Sequence, residues 1–335
     1  MSCGQCPLVT VIVPAYNSSA FIDESLESVK KQTYRPIEVI IVDDGSTDDT
    51  WGKIISFRDR SEEADEITVR CIRQENGGPS RARNAGIRVA TGKYLCMLDA
   101  DDWWPEDKLE QQVRFLEERP TLAMTFGDSR FFRGSDEVVT PSVFRKYGHL
   151  VSALDNPEGI TGLFEKLLMR DLILTGTEMT RRECIVSVGC YDESLGHAED
   201  VHLWLKLAAR YKVGFIDKIM LCRRLHDSNT SRDFIASNLN GLRAIESIRI
   251  LCPEQASQHW QIFRRKLRDI HFTRGYYLFS GMKLREARAA FRASLRYQVT
   301  RSGLIYWAST FLPTSLIHRI RAFREGAGHM ESPGA

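Results

Sequence analysis

Short apolar runs alternate with amphipathic segments over the first hundred residues of this 335-residue chain. Residues 8–14 and 37–42 are rich in β-branched side chains and almost wholly apolar, which is typical of strands buried on both faces of a parallel sheet. Residues 19–32, between them, carry apolar side chains at helical spacing. The order predicts βαβ units, and therefore an α/β fold with an open, mostly parallel sheet flanked by helices. The alternation continues with a helix, a strand, a helix and a strand at residues 47–57, 67–72, 80–90 and 94–98.

Polar clusters follow four of these strands, at the point where each strand ends. Ligands of open parallel sheets bind beyond the carboxyl ends of the strands. The coincidence therefore predicts a ligand site at this edge of the sheet. The clusters occupy residues 14–17, 43–46, 74–79 and 99–102.

The cluster after the second strand contains two adjacent carboxylates, Asp43 and Asp44. Gly45 suits the turn and Ser46 suits a helix cap, so local structure accounts for both of these residues. Capping does not account for the paired acids. We expect Asp44 to contact a ligand, since a carboxylate there can accept from a base N–H or a ribose hydroxyl.

The next loop, which begins at Asn76, carries two glycines that let the backbone pass close to a ligand. Arg81 and Arg83 follow in the first turn of a helix, where the helix dipole disfavours cations. This placement favours a docked anion at that end. The alternative is a surface turn followed by solvated arginines.

Three carboxylates, Asp99, Asp101 and Asp102, crowd the end of the strand at 94–98. They repel one another unless a cation is present, and oxygen ligands suit Mg²⁺ or Mn²⁺ bridging a diphosphate. Capping of the helix that Pro105 begins would use one carboxylate and leave two unexplained. His226 follows another strand and two arginines, so it can face a phosphate or a metal, or be solvated.

Glu199 and Asp200 begin a strongly amphipathic helix. Acids at a helix start are favourable without any catalytic role. Residue types alone therefore leave the role of Asp200 open.

Taken together, these motifs resemble those of family 2 glycosyltransferases with the GT-A fold. The resemblance covers about residues 7–235, and its strength lies in four motifs that occur in the family's order and spacing. Later segments at 189–195 and 198–204 resemble the family's acceptor-side segment and its Glu-Asp motif. The four motifs are VIVPAYN at 11–17, VDDGSTD at 42–48, NGGPSRARNAG at 76–86 and LDADD at 98–102.

The resemblance implies a role for each matching residue on the donor side. Tyr16 packs against the nucleotide base at the strand end that Pro14 shapes, and Asp44 reads the uracil. Asn76 and Arg81 belong to the loop that reaches the nucleotide, and Asp99 matches the carboxylate on the ribose side.

On the catalytic side, the resemblance makes Asp101 the ligand of Mn²⁺ or Mg²⁺, and His226 helps to hold metal and diphosphate. Asp200 matches the catalytic base. These roles imply an inverting, metal-dependent hexosyl- or hexosaminyltransferase. It would move a sugar from a nucleotide-sugar donor, expected to be UDP-linked, to a hydroxyl of a glycan, a lipid-linked acceptor or another acceptor in cell-surface glycan synthesis.

Two features argue against processive polymerisation: no Gln-x-x-Arg-Trp motif follows Asp200, and no run of about 18 apolar residues predicts a membrane span. A sugar nucleotidyltransferase is a second enzyme class to consider. Such enzymes need a Gly-rich basic loop after the first strand, where this chain has Pro-Ala-Tyr-Asn. A non-catalytic sugar-nucleotide-binding or scaffold protein is the third interpretation.

The formal net charge of +2 conceals an asymmetry, because residues 1–240 carry −8 and residues 241–335 carry +10. An acidic body argues against a nucleic-acid partner. Residues 304–323 place apolar side chains among basic ones, with Pro313 dividing them. This pattern suits peripheral contact with an anionic membrane, or a helix that packs on the protein's own core.

The chain start lacks a signal-peptide pattern, and eight scattered cysteines suit reduced thiols, so we expect a cytoplasmic protein or one on the cytoplasmic face of the membrane. Cys3 and Cys6 form a lone CxxC, which is weak support for zinc. We divide the chain into a tail at 1–6, a GT-A domain at 7–235 and a helical extension at 236–335. In the extension, residues 275–297 predict a hairpin of two short helices broken at Ser280-Gly281.

Overall fold

The computed structural model describes residues 6–61, 66–134, 137–146, 158–226 and 234–317. Cys3, and with it the lone CxxC, lies outside the described residues, as does the basic end after residue 317. The seven described cysteines are free thiols, as their scattered positions predict.

A mixed sheet of eight strands forms the centre of the molecule. The strands are β1 Val9–Ala15, β2 Ile37–Asp43, β3 Ile67–Arg73, β4 Tyr94–Met97, β5 Leu122–Arg133, β6 Glu137–Thr140, β7 Met179–Arg181 and β8 Lys212–Leu225. Their spatial order is β3-β2-β1-β4-β7-β5-β6, and β8 pairs with β5. The four strands β3, β2, β1 and β4 are mutually parallel, as the alternation predicts, whereas β7 joins β4 to β5 by antiparallel pairing.

Eight helices among the described residues accompany these strands, most of them on the faces of the sheet. They are α1 Ile22–Lys30, α2 Thr50–Ser61, α3 Pro79–Val89, α4 Lys108–Glu117, α5 Val143–Lys146, α6 Leu163–Met169, α7 Arg182–Ser187 and α8 Glu199–Arg210. The helix predicted to begin at Pro105 begins three residues later, because residues 105–108 first close a turn in which Lys108 N–H donates to the Pro105 carbonyl.

The two faces of the sheet belong to two apolar cores, which explains why β1 is apolar at consecutive positions. Ile12 faces one core, whereas Val11 and Val13 face the other. Helix α3 lies so close to β1 that a Cβ on Gly86 would stand 2.5 Å from Cγ2 of Ile12. Glycine at this position therefore fixes the depth at which α3 packs, and α3 carries several residues of the site described below.

A helical region follows β8, as the sequence predicts. Its helices are α9 Phe234–Leu251, α10 Pro253–Gln258, α11 Trp260–Ser280, α12 Leu284–Tyr297 and α13 Arg301–Ser309. Buried side chains of α9 and α11, such as Ile245 and Phe263, share one core with Trp204 of α8. The first part of the extension is thus packed into the body rather than tethered to it.

The predicted hairpin is present, but its first helix is longer than the sequence pattern suggested. Helix α11 is continuous over 21 residues and ends at Ser280, the predicted break. Gly275 permits the close crossing of the two helices, since a Cβ there would lie 2.6 Å from the ring of Phe291 in α12. A third, small core forms around Phe279, Phe291 and Ile317.

The described part of the tail packs on the protein's own core at one position and exposes apolar side chains at others. Ile317 is buried in the third core, whereas Leu304, Ile305, Phe311 and Leu316 are exposed. Within the described ranges, no helix is both long enough and apolar enough to span a membrane.

Candidate active site

The loops after β1, β2 and β3 interlock at one edge of the sheet. Asn17 accepts a hydrogen bond from Thr47 N at 2.8 Å through its side-chain oxygen, and Ser46 Oγ accepts from Asn17 N at 2.9 Å. These bonds tie the first two loops together. They leave Tyr16, next to the partly buried Pro14, half exposed at the edge.

Asp44 is buried and already engaged by the neighbouring loop. Its carboxylate accepts from Gln74 Nε2 at 2.7 Å, from Gly77 N at 3.0 Å and from Gly78 N at 2.8 Å. The sequence predicts that Asp44 contacts a ligand. The structure adds that the same carboxylate shapes the glycine loop, beside which Asn76 and Arg81 are exposed.

Arg83 connects two parts of the site that are far apart in sequence. Its guanidinium donates to Asp99 Oδ1 at 2.7 Å and to Glu199 Oε1 at 2.7 Å. The sequence favours an outside anion for Arg81 and Arg83. For Arg83 the partner anions are instead two of the protein's own carboxylates, one after β4 and one at the start of α8.

The carboxylates after β4 separate into three environments. Asp99 is paired with Arg83, and Asp101 lies 2.9 Å from Nε2 of His226. Asp102 is buried and accepts from Arg224 N at 2.8 Å. Burial, together with the charges of Asp101 and Asp99, raises the pKa of Asp102 well above its ordinary value.

His226 reaches Asp101 because the loop after β4 is hydrogen-bonded to β8. Trp103 and Cys222 exchange backbone hydrogen bonds of 3.1 and 2.8 Å. Four residues after Cys222, the His226 ring stacks on Phe21 with centroids 4.7 Å apart. The predicted pair Asp101 and His226 is therefore brought together by secondary structure.

An imidazole and a carboxylate in contact suit Mn²⁺ or Mg²⁺. Among the residues described, no group of three or more His, Cys, Asp and Glu side chains has the spacing of a metal site. The residues present fit an ion that completes its coordination with phosphate oxygens, rather than an ion caged by protein alone.

Asp200 lies in the first turn of α8, next to the Arg83-bound Glu199. Its carboxylate accepts from its neighbour Val201 N at 2.7 Å and from Thr175 Oγ1 at 3.5 Å. Burial and the adjacent charge of Glu199 raise the pKa of Asp200 to about 7. A carboxylate with this pKa is suited to exchange a proton near neutral pH.

Glu178 fixes the segment that presents Thr175. Its two oxygens accept from Gly176 N at 2.8 Å and from Met97 N, the last residue of β4, at 3.2 Å. Sequence reasoning did not assign a role to Glu178. In the sequence it is an acidic residue that directly precedes the three residues of β7, and this pattern is not distinctive.

For Glu199 the sequence likewise predicts no role, and for Arg83 it predicts only a docked anion. Arg83 stands in the run Arg81-Ala82-Arg83-Asn84-Ala85-Gly86, where its small neighbours let α3 pack closely. A cation on a tightly packed helix face requires a buried anion, and that is the signal from which its partners could have been inferred.

Comparison with known proteins shows which protein family the first part of the chain matches. The profile of the family described as "Glycosyl transferase family 2" matches residues 10–160. Residues 10–160 are a family 2 glycosyltransferase domain. This family 2 domain includes the strand ends that hold Tyr16, Asp44 and Asp101, whereas Asp200 and His226 follow it in sequence.

This chain spans only part of the length of several curated relatives. WfaP of Escherichia coli, a UDP-Glc:alpha-D-GlcNAc-diphosphoundecaprenol beta-1,3-glucosyltransferase, is 37% identical over 134 residues, which are 40% of this chain and 49% of WfaP. The chain spans 29% and 32% of the lengths of two uncharacterized glycosyltransferases from Rickettsia bellii and Rickettsia felis.

Solved structures extend the likeness beyond the family 2 domain. TarS residues 1–349 of S. aureus, in complex with UDP-GlcNAc, match with a TM-score of 0.68 at 21% identity, over 88% of this chain and 82% of that one. The mannosyltransferase PcManGT of Pyrobaculum calidifontis, in complex with GDP-Man and Mn²⁺, matches with a TM-score of 0.57 at 20% identity, over 95% and 80% of the two chains. These likenesses show a shared fold, the GT-A fold that the motifs predict.

Proposed function

We propose that this chain is an inverting glycosyltransferase that moves a hexosyl or hexosaminyl group from a UDP-sugar to an acceptor hydroxyl. One observation carries the proposal. Arg83 bonds both Asp99, two residues from Asp101, and Glu199, next to Asp200. It thereby links a candidate diphosphate site to a candidate base in a single cluster.

On the donor side, the half-exposed Tyr16 is available to stack on a base. A carboxylate offers about four acceptor positions, so Asp44 can hold the glycine loop and still accept from a base N–H. The bound UDP-GlcNAc of TarS and the UDP-linked donor of WfaP support a uridine nucleotide.

Asp101 and His226 would hold the divalent ion, Mn²⁺ or Mg²⁺, and the bound ion would offset the negative charge of the leaving diphosphate. The Mn²⁺ of PcManGT supports this assignment.

Asp200 would take the proton of the acceptor hydroxyl as that oxygen attacks the anomeric carbon. Attack opposite the leaving diphosphate forms one C–O bond as the other breaks, so the anomeric centre inverts without a covalent enzyme intermediate. Thr175 and the α8 backbone orient the carboxylate for this transfer.

The printed names of two relatives support the acceptor class that we propose. WfaP uses a lipid-linked diphosphate sugar, and TuaG of Bacillus subtilis is named for teichuronic acid biosynthesis. We assign this chain an acceptor in cell-surface glycan synthesis, lipid-linked or glycan, and peripheral contact with an anionic membrane through the exposed apolar side chains of residues 301–317.

The test is a donor screen with purified full-length protein. UDP-, GDP- and dTDP-linked glucose, N-acetylglucosamine and mannose are incubated with and without Mn²⁺, and release of the nucleoside diphosphate is measured. We expect release from a UDP-sugar that requires the ion and falls about 100-fold or more in Asp101→Asn. Asp217→Asn, at an exposed position of β8, is the matched control.

Two results would contradict the proposal. Binding of UDP-sugars without any release would favour the non-catalytic sugar-nucleotide-binding alternative. Release of pyrophosphate from a nucleoside triphosphate and a sugar phosphate would favour a nucleotidyltransferase.

A further inference from the structure

A cavity of about 360 Å³ lies against the segment at residues 169–177, and no residue of the donor site or the metal pair lines it. One wall is apolar and comes from β5, α5 and the segment before β7, with Phe131, Phe144 and Leu172 among its side chains. Another part is cationic and comes from Arg170 and from Lys266 of α11.

The segment at residues 171–177 connects this cavity to the candidate base. Leu174 and Thr177 line the cavity, and Thr175 between them donates to Asp200 Oδ2 at 3.5 Å. Asp171 also lines the cavity, and its charge is among those that raise the pKa of Asp200, after burial and Glu199. The segment that lines the cavity therefore also contacts the group that would accept the acceptor's proton.

Among the described residues, the charged side chains that line the cavity are Arg170, Asp171 and Lys266. Arg170 already has an interaction partner. The side chain of Lys266 forms no ion pair or hydrogen bond with any residue that the structure describes. An ammonium group beside an apolar wall gains most from a ligand that brings both an anion and an apolar surface.

We propose that this cavity receives the acceptor, and that Lys266 selects acceptors in which a phosphate group adjoins an apolar group. The proposal rests on the proposed glycosyl transfer and adds a substrate class to it. It also assigns acceptor binding to the helical extension, because Lys266 belongs to α11, far outside the family 2 domain at residues 10–160. Donor binding and acceptor choice would then reside in different parts of the chain.

Binding of small probes to the full chain, saturated with UDP and Mn²⁺, tests the proposal by calorimetry. The probes are 1-naphthyl phosphate, the neutral 1-naphthalenemethanol and inorganic phosphate. We expect 1-naphthyl phosphate to bind about tenfold more tightly than either of the others, because only it engages the apolar wall and Lys266 together.

Lys266→Gln should remove this preference and leave binding of the neutral probe unchanged, and Arg170→Gln should weaken it. Lys283→Gln, an exposed lysine of the same extension, is the matched control and should keep the preference. Equal affinities for the phosphate and the neutral alcohol, or a Lys266→Gln protein that keeps the preference, would overturn the proposal.

Two further probes test whether the phosphate group must adjoin an apolar group. Tighter binding of dodecyl phosphate than of glucose 6-phosphate supports the proposal and indicates a lipid phosphate. Tighter binding of glucose 6-phosphate, or binding of neither, contradicts the proposal. Hydrolysis of the donor by water, measured on the same samples, needs no acceptor. It therefore tests the proposed glycosyl transfer separately from the acceptor cavity.

Discussion

At the scale of single residues, the site depends on how Arg83 and Asp200 are charged. Arg83 is buried between two carboxylates, and their charges outweigh the desolvation of its guanidinium, so its pKa lies well above its ordinary value. The pKa of Asp200 is raised above that of an ordinary aspartic acid, because burial and the charge of Glu199 favour its protonated form. A permanent cation thus stands beside a group that titrates near neutrality.

The pKa of about 7 at Asp200 predicts the pH dependence of the reaction. A general base acts only when it is deprotonated, so kcat/KM for donor hydrolysis should rise about tenfold per pH unit below pH 7 and level off above it. Rates measured from pH 5 to pH 9 check this. A flat profile over that range would contradict the assignment of Asp200.

The same shift predicts a stability effect. The folded protein binds the Asp200 proton up to a higher pH than the unfolded chain does, so between about pH 4 and 7 rising pH lowers the free energy of unfolding through this group. Asp200→Asn should therefore be more stable than the native protein, and by a larger margin at pH 8 than at pH 5. Thermal melts at the two pH values give this comparison, and an equal margin would contradict it.

Removing Arg83 should be costly because it leaves Glu199 buried without its partner. Arg83→Met should lower the free energy of unfolding by about 3–5 kcal/mol, as expected when one member of a buried ion pair is lost. Arg88→Met, at a position of α3 that is 61% exposed, should change it by less than about 1 kcal/mol. Urea unfolding compares the two, and similar losses would show that the Arg83 pairs contribute little.

At the scale of elements, α3 organises the site. Besides Arg83, it carries Asn84, whose side chain donates to the Tyr191 carbonyl and accepts from Tyr191 N, each at 3.0 Å. Ser80 donates to the Leu195 carbonyl at 3.1 Å. The helix therefore joins the donor loops to the segment at 189–195. The depth at which α3 packs on β1 therefore sets the positions of the donor loops and of the segment at 189–195.

Gly86 and Gly241 should respond to alanine with opposite signs. A Cβ at Gly86 meets Ile12 at 2.5 Å, so Gly86→Ala should lower the free energy of unfolding by about 1–3 kcal/mol. Gly241 lies inside α9 with open space around it, so Gly241→Ala should raise it by about 0.5–1 kcal/mol. Urea unfolding of both variants checks this, and destabilisation by Gly241→Ala would contradict it.

The sequence predicted β1 to β4 to within one residue at each end because those strands are short, apolar runs bounded by polar turns. It did not reveal β7, three residues whose antiparallel role depends on partners far away in the chain. It also predicted a first hairpin helix that is too short, beginning at residue 275. The apolar side chains of α11 face the body in its first half and α12 in its second half, so one helical pattern does not run through the whole helix.

For the site, the structure brings Asp101 into contact with His226 and places Asp200 in the first turn of α8, whereas their roles in binding and catalysis stay predictions. The sequence indicates that Arg83 needs a buried anion but not which one, because Glu199 is 116 positions away in the chain. The engagement of Asp44 by the neighbouring glycine loop could not be predicted, since it depends on the path of the backbone through Gly77 and Gly78.

At the scale of the whole molecule, the basic C-terminal extension has two structural roles. The extension is basic, and its first helices are part of the core, whereas Leu304 and Ile305 of α13 point apolar surface outward. Exposed apolar side chains on a basic extension favour contact with a partner surface that is both anionic and apolar, as an anionic membrane is.

Vesicle binding tests the membrane contact. The full chain should co-sediment with vesicles containing about one-third anionic lipid, and less so at high salt. The double variant Leu304→Gln/Ile305→Gln should bind several-fold more weakly, whereas Val186→Gln, an exposed apolar residue of α7, serves as the control. Equal binding by all three proteins would exclude α13 as the contact.

The central claim is that Asp200 is the base of a glycosyl transfer. The most direct measurement compares Asp200→Asn with the native protein for UDP affinity, by calorimetry with Mn²⁺, and for turnover of the UDP-sugar found in the donor screen. We predict UDP affinity within about twofold of native and turnover lower by about 10²–10⁴, the usual contribution of a general base. Near-native turnover with intact UDP binding would contradict the account.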